Sequence, residues 1–269
     1  MINRLILLTF SLPALMFISF TAAAEGQLNL STGYEKTSGN YGLNNDTDIT
    51  TIPFIAQYTE GTWRATVTIP YISVTGDGRI VPGSYGGTRG SGMGNMAVPM
   101  QPATLVKKTH SGLGDITTSV SHAFLPAKND YMFYELTGSV KWGTASASDN
   151  LGTGENDFSL KFFSKYEKLN LKPFASLGYL FVGDTQTVNY DNTLFASAGF
   201  VYDFAPQISL SLVYSYQQAS TEGSEDGRMA GLYINTALSR QWSANVYLLK
   251  GFSDSEADTG VGFTVIYSY

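Results

Sequence analysis

The chain closes on Gly262-Phe263-Thr264-Val265-Ile266-Tyr267-Ser268-Tyr269, in which Phe263, Val265, Tyr267 and Tyr269 fall on one side of an extended backbone. Successive side chains of a strand point to opposite faces, so a period of two marks a strand between unlike surroundings. The same alternation recurs upstream. Trp63, Ala65, Val67, Ile69 and Tyr71 alternate with Arg64, Thr66 and Thr68. Ile208, Leu210, Leu212, Tyr214 and Tyr216 alternate with Ser209, Ser211, Ser215 and Gln217.

Such runs predict twelve strands, at 26–37, 48–59, 62–75, 113–125, 130–144, 156–167, 170–182, 192–204, 207–218, 228–239, 241–251 and 259–269. A tilted strand needs about 9–11 residues to cross the hydrocarbon core, whereas strands of soluble sandwiches run to about 5–6. These are of the longer kind. Their connections alternate between short turns, such as Glu60-Gly61 and Ala205-Pro206, and longer links, the longest at 76–112. Short turns at one end and long loops at the other are the pattern of outer-membrane barrels. The expected fold is therefore all-β: a transmembrane antiparallel up-and-down barrel of twelve strands over residues 25–269. A soluble β-sandwich is the competing reading. Its water-facing side would carry more Lys and Glu than this chain's second face does. Pro53, Pro70 and Pro173 fall inside predicted strands and call for bulges or shifted strand ends, because proline cannot donate to a ladder.

Composition agrees. Only 14% of the 269 residues are charged, against about 25% for a soluble domain. Mean hydropathy is nevertheless −0.03, so apolar and uncharged polar residues are finely mixed. The net charge of −6 argues against a nucleic-acid partner, and the absence of cysteine excludes disulfides, thiolate metal sites and a thiol nucleophile. Arg4, the apolar run 5–20 and the small residues Thr21-Ala22-Ala23-Ala24 predict a secretory signal cleaved after Ala24. Export together with the barrel pattern predicts a place in a bacterial outer membrane, among lipid and lipopolysaccharide. No ligand spacing or phosphate-binding loop occurs, so neither metal nor cofactor is expected.

Three glycine-rich stretches carry a family likeness: Ser111-Gly112-Leu113-Gly114-Asp115-Ile116, Leu151-Gly152-Thr153-Gly154-Glu155-Asn156-Asp157, and Leu177-Gly178-Tyr179 running into Val182-Gly183-Asp184. In order and spacing they resemble the outer-membrane family named after the meta-pathway of phenol degradation. The resemblance implies a barrel that passes small, often aromatic, compounds. The terminal Phe263, Val265, Tyr267 and Tyr269 resemble the signal read by the barrel-assembly machinery, which that likeness makes a partner. Physically, Gly-Asp after a loop suits strand re-entry, since Gly takes special backbone angles and Asp caps turns. The alternative is a cation or solute contact at an acidic external rim, from Asp115, Glu155, Asp157 and Asp184.

A lumen would be lined by the polar phase. Its charged candidates are Glu35, Arg64, Glu135, Lys141, Asp157, Lys161, Lys165, Lys172 and Asp203. Both signs occur, so no single-sign filter is expected. Tyr131, Phe133, Phe163, Phe174, Phe195, Tyr233 and Tyr247 share that phase and either fill the lumen or stack an aromatic solute. Loop 76–112 either folds inward as a constriction, gripping through Ile80, Val81, Met93, Met96, Val98, Met100, Leu105 and Val106, or stays outside.

The reading reached is a non-enzymatic channel for passive passage of small solutes. Two others stand beside it. One is a structural or receptor barrel without transport. The other is an outer-membrane lipase built on His110 or His122; Ser121 cannot serve His122, because adjacent strand residues point oppositely.

Overall fold

The computed structural model describes residues 26–78, 80–82, 107–124, 131–185 and 188–269. The segment 1–24, predicted as an export signal, lies outside them, as do Met93, Met96, Val98, Met100, Leu105 and Val106 of the long link.

One antiparallel sheet contains β1 (Gln27–Gly39), β2 (Thr47–Glu60), β3 (Trp63–Gly76), β4 (Lys108–Leu113), β5 (Ile116–Phe124), β6 (Met132–Trp142) and β7 (Asp157–Tyr166). It continues through β8 (Leu171–Phe181), β9 (Thr193–Ala205), β10 (Ile208–Gln217), β11 (Gly227–Ala237), β12 (Trp242–Gly251) and β13 (Thr259–Ser268). Neighbours in sequence pair, except that β4 and β5 lie end to end along β3, and β1 also pairs with β13, so the sheet closes into a barrel of twelve strands with one extra segment. Closure removes the long free edges of an open sheet, and β4 alone among the described strands is paired on one side only.

The extra segment corrects the predicted strand 113–125 and the predicted end of the long link at 112. Residues 108–113 are already strand, paired with Tyr71–Gly76, and β5 continues along the same side of β3 at Trp63–Thr68. Between them the register moves by one residue, so Gly114 and Asp115 sit in a bulge opposite Pro70. The Gly114 amide donates to the Pro70 carbonyl at 2.8 Å. The nitrogen and carbonyl of one strand residue point the same way, so the donor-less Pro70 nitrogen also faces the bulge. Pro53 lies directly opposite Pro70, in a pair whose polar groups point away from each other. Its nitrogen therefore faces β1, where the ladder runs from Thr32–Phe54 to Glu35–Thr51 with nothing paired between. Pro173 sits one residue past the last β7–β8 pair, Lys165–Phe174. The remaining strand ends lie within two residues of expectation.

Alternation sorts the side chains. On β7, Leu160 is 51% exposed and Lys161 5%. Large apolar residues turned outward recur around the wall, among them Phe54, Leu113, Val120, Phe158, Leu177, Ile234 and Leu248. In water so continuous an apolar surface would drive aggregation; facing acyl chains it is what the solvent selects. Toward the turn end, aromatics gather in pairs: Trp242–Tyr267 at 4.9 Å, Tyr134–Phe162 at 5.9 Å and Tyr131–Tyr166 at 6.3 Å. Tyr131, expected inside, belongs to this belt, with Lys168 over its ring at 4.7 Å. Thr118 and His122 are outward polar residues with partners. Trp142 Nε1 donates to Thr118 at 3.0 Å, and the His122 ring lies 4.4 Å from Trp63.

Candidate functional site: the barrel lumen

Every charged residue expected on the inner face faces the barrel interior, and each of Glu35, Arg64, Glu135, Lys141, Asp157, Lys161 and Lys165 is buried. Opposite signs are brought together. Arg64 of β3 is bonded to Glu135 of β6, with Lys161 of β7 in the field of both. Lys172 donates to Asp203 at 2.6 Å, and Lys165 pairs with Glu167 just beyond its own strand. Glu35 accepts from the Tyr247 hydroxyl at 2.7 Å. Desolvating an ion costs several kcal/mol unless it is paired, so these couples allow charge inside a crowded tube without a net field of one sign.

The inner aromatics form a stripe. Phe163, Phe174, Val201, Val213, Met229, Tyr233, Tyr247 and Leu249 are in mutual contact along β7 to β12, with Phe133 packed against them. Ring centroids lie 6.1 Å apart for Phe133–Phe163, 5.9 Å for Phe163–Phe174 and 5.3 Å for Tyr233–Tyr247. Several rings lie over glycines. A Cβ on Gly178 would come within 2.2 Å of the Phe195 ring, and one on Gly262 within 2.3 Å of Tyr247. Gly231 stands in the same relation to Tyr233. A ring laid on a bare stretch of backbone hugs the wall instead of crossing the lumen.

The three glycine-rich stretches converge at the loop end. Lys141 Nζ lies 2.7 Å from Asp157 and 3.5 Å from Asp115, with all three side chains buried. Asp115 accepts from the Ala145 amide and Asp157 from the Gly183 amide, both at 2.9 Å. Gly152 packs so closely on Asp115 that a Cβ would be 2.8 Å from its carboxylate. Gly114 abuts Ile72, Gly112 abuts Leu151, and Gly154 takes φ +78°, a conformation Gly alone adopts freely. Asp184 accepts from the Tyr190 amide at 2.7 Å. Asp115 and Asp157 are therefore not members of a solvated acidic rim. The bulge opposite Pro70 turns Asp115 inward onto Lys141, the use to which bulges are commonly put.

Over this cluster lies an apolar cap. Tyr41, Ile49, Ile72, Val74, Ile80, Ala145, Leu151 and Ala257 are all buried against one another, with Leu43 beside them. Burial and the nearby Glu256 push the Tyr41 phenol pKa up. Burial followed by the nearby Asp157 does the same to Tyr190. Of the long link, Ile80 joins the cap.

Sequence reasoning missed the buried inward amides Asn29, Gln57, Asn235 and Asn245. Their signal was available, since each stands on the inward phase of its strand. Among the terminal residues, Phe263, Val265 and Tyr267 share the outward face, Tyr267 against Trp242, and the Tyr269 amide donates to the Leu28 carbonyl at 2.8 Å.

Comparison with known proteins gives a family and a fold. The family model described as "Putative MetA-pathway of phenol degradation" matches residues 56–269. An outer membrane channel from Pseudomonas putida F1 superposes with a TM-score of 0.66 at 11% identity, covering 93% of this chain and 97% of that one. The KdgM porin superposes at 0.51 with 9% identity, covering 90% and 99%. No curated protein sequence matches. The fold is that of outer-membrane barrels.

Proposed function

The chain belongs to the phenol meta-pathway family, whose model covers residues 56–269, and on that premise we propose that it is a passive outer-membrane channel for small, aromatic or hydrophobic solutes. The observation that carries this is the stripe from Phe133 to Leu249, an apolar track over glycines beside charges that are already paired. A solute moving along it loses water to rings and methyl groups, not to fixed ions. The likeness of the barrel to a Pseudomonas channel and to a porin supports the same reading. Export through the 1–24 signal, insertion by the barrel-assembly machinery through Phe263, Val265, Tyr267 and Tyr269, and contact with lipopolysaccharide at the loop end belong to it.

Planar-bilayer recording and liposome swelling on the refolded barrel test it. Discrete conductance steps and swelling by small aromatics are expected, and silence in both assays refutes the proposal.

The buried cap favours one other reading, a barrel closed at its loop end that transports nothing. Silence in both assays would select it. Catalysis forms no part of the proposal. His122 meets Thr62 at 3.3 Å on the lipid-facing side, and His110 lies 3.7 Å from Asp149 at the loop end, so the two stand apart.

A further inference from the structure

The lipid-facing wall carries a hollow. On its outward phase, register aligns Trp242, Tyr267, Leu30, Ala56 and Val67 in one row across β12, β13, β1, β2 and β3. The next outward row toward the loop end aligns Val265, Thr32, Phe54 and Ile69. Ala56, Thr32 and Val265 are short, and they stand between Trp242 and Tyr267 on one side and Phe54, Val67 and Ile69 on the other. The two rows line an open hollow of about 450 Å³, its lining completed by Ser31 and Ile55 between them. Its walls are accessible: Leu30 and Trp242 are each 47% exposed and Phe54 54%.

The two ends of the hollow differ. Trp242 opens β12 beside the turn 238–241, whereas Val67 and Ile69 lie well inside β3. The hollow therefore climbs from the aromatic belt at the turn end into the hydrocarbon. At its lower end the Gln241 side-chain amide donates to the Tyr267 hydroxyl at 3.3 Å. Arg240, exposed in the same turn, meets no acid within ion-pair distance among the described residues. A dent in a membrane wall has to be filled, because atoms that line a void forfeit dispersion contacts. A second copy does not fill it. Both copies would stand upright in one membrane, so a twofold contact on this face sets hollow against hollow. A flexible acyl chain does fill it, and an arginine beside interfacial Trp and Tyr suits a phosphate. We propose that the hollow is a binding site for one phospholipid of the leaflet at the turn end, which in such barrels is the periplasmic leaflet. One acyl chain lies from Trp242 toward Ile69, and the phosphate sits at Arg240. The chain crosses from β1 to β2 at Thr32–Phe54, the last pair before the gap in that ladder, and packs over the joint. The site rests on the fold and not on the channel reading, so conductance in either sense leaves it untouched.

Native mass spectrometry of the folded, detergent-solubilised barrel, titrated with phosphatidylglycerol, tests it. One saturable lipid per barrel is expected. Diacylglycerol, which has the chains but no phosphate, should bind about tenfold more weakly, the least that a charge-assisted contact is worth. Arg240→Gln should remove that preference. Ala56→Trp should fill the hollow and abolish the saturable step, while Leu177→Trp, which adds the same bulk to the opposite wall, should leave it unchanged. Absence of a saturable lipid, equal affinities for the two lipids, or retention undiminished in Ala56→Trp would overturn the proposal. So would a lipid-free dimer that Ala56→Trp dissociates, which would assign the face to a second copy. The comparison of the two lipids on the unsubstituted barrel decides the matter even if a variant fails to fold.

Discussion

Lys141 of β6 donates to Asp157 of β7 at 2.7 Å, and the same ammonium stands 3.5 Å from Asp115 in the bulge between β4 and β5. One cation thus joins three places that the chain visits far apart, beneath a cap of loops. Lys141→Met leaves two buried carboxylates facing each other. The expected loss is about 3–5 kcal/mol, as for any buried pair stripped of one partner. Because Asp115 holds the Ala145 amide, the loop end should loosen before the wall does. Urea titration of the folded barrel, with protease cleavage in 143–156, checks both parts, and Lys141→Arg should recover much of the loss.

Leu160 and Lys161 are neighbours in sequence and opposite in surroundings. Leu160→Arg puts a charge among acyl chains, with an expected cost of about 2–4 kcal/mol near the bilayer midplane. Lys161→Met should cost about 1 kcal/mol or less, because Glu135 keeps Arg64. It should also move the reversal potential in a salt gradient toward cation preference, since one inward positive charge is gone.

Gly178 and Phe195 test the arrangement of rings over glycines. Gly178→Val forces the Phe195 ring off the wall, with an overpacking cost of about 1–3 kcal/mol. The displaced ring enters the lumen, so single-channel conductance should fall, and pairing the change with Phe195→Ala should restore it.

The cap should respond to alkali. The Tyr41 phenol is raised by burial, so the folded chain holds its proton where the unfolded chain has lost it. Its contribution is complete below about pH 10, the ordinary tyrosine value, and is lost as pH climbs above it. Protease sensitivity of the loop end should rise over that interval, and Tyr41→Phe should abolish the rise.

The barrel was legible because side-chain direction in a strand is a local property: residue i and residue i+2 share a face whatever the partner strand does. Leu160 out and Lys161 in follow from that alone. What stayed hidden depends on register. That Asp115 meets Lys141, or that Phe195 covers Gly178, is decided by how far one strand is shifted against the next. The bulge at Gly114 and Asp115 shifted it by one residue along β3. The Pro53–Pro70 pairing was within reach, because the tight turn after Glu60 sets Glu60 against Trp63, and counting back along both strands arrives at the two prolines.

That pairing has a mechanical consequence. β2 and β3 are bonded to each other without interruption from Glu60–Trp63 to Asp48–Thr75, yet each has a gap in its outer ladder at the level of its proline. The two strands form a panel set into the wall with perforated seams on both sides. Strain applied to the cylinder is expected to concentrate along those seams, so that the panel would tilt as a unit while the other eleven strands keep their hydrogen bonds.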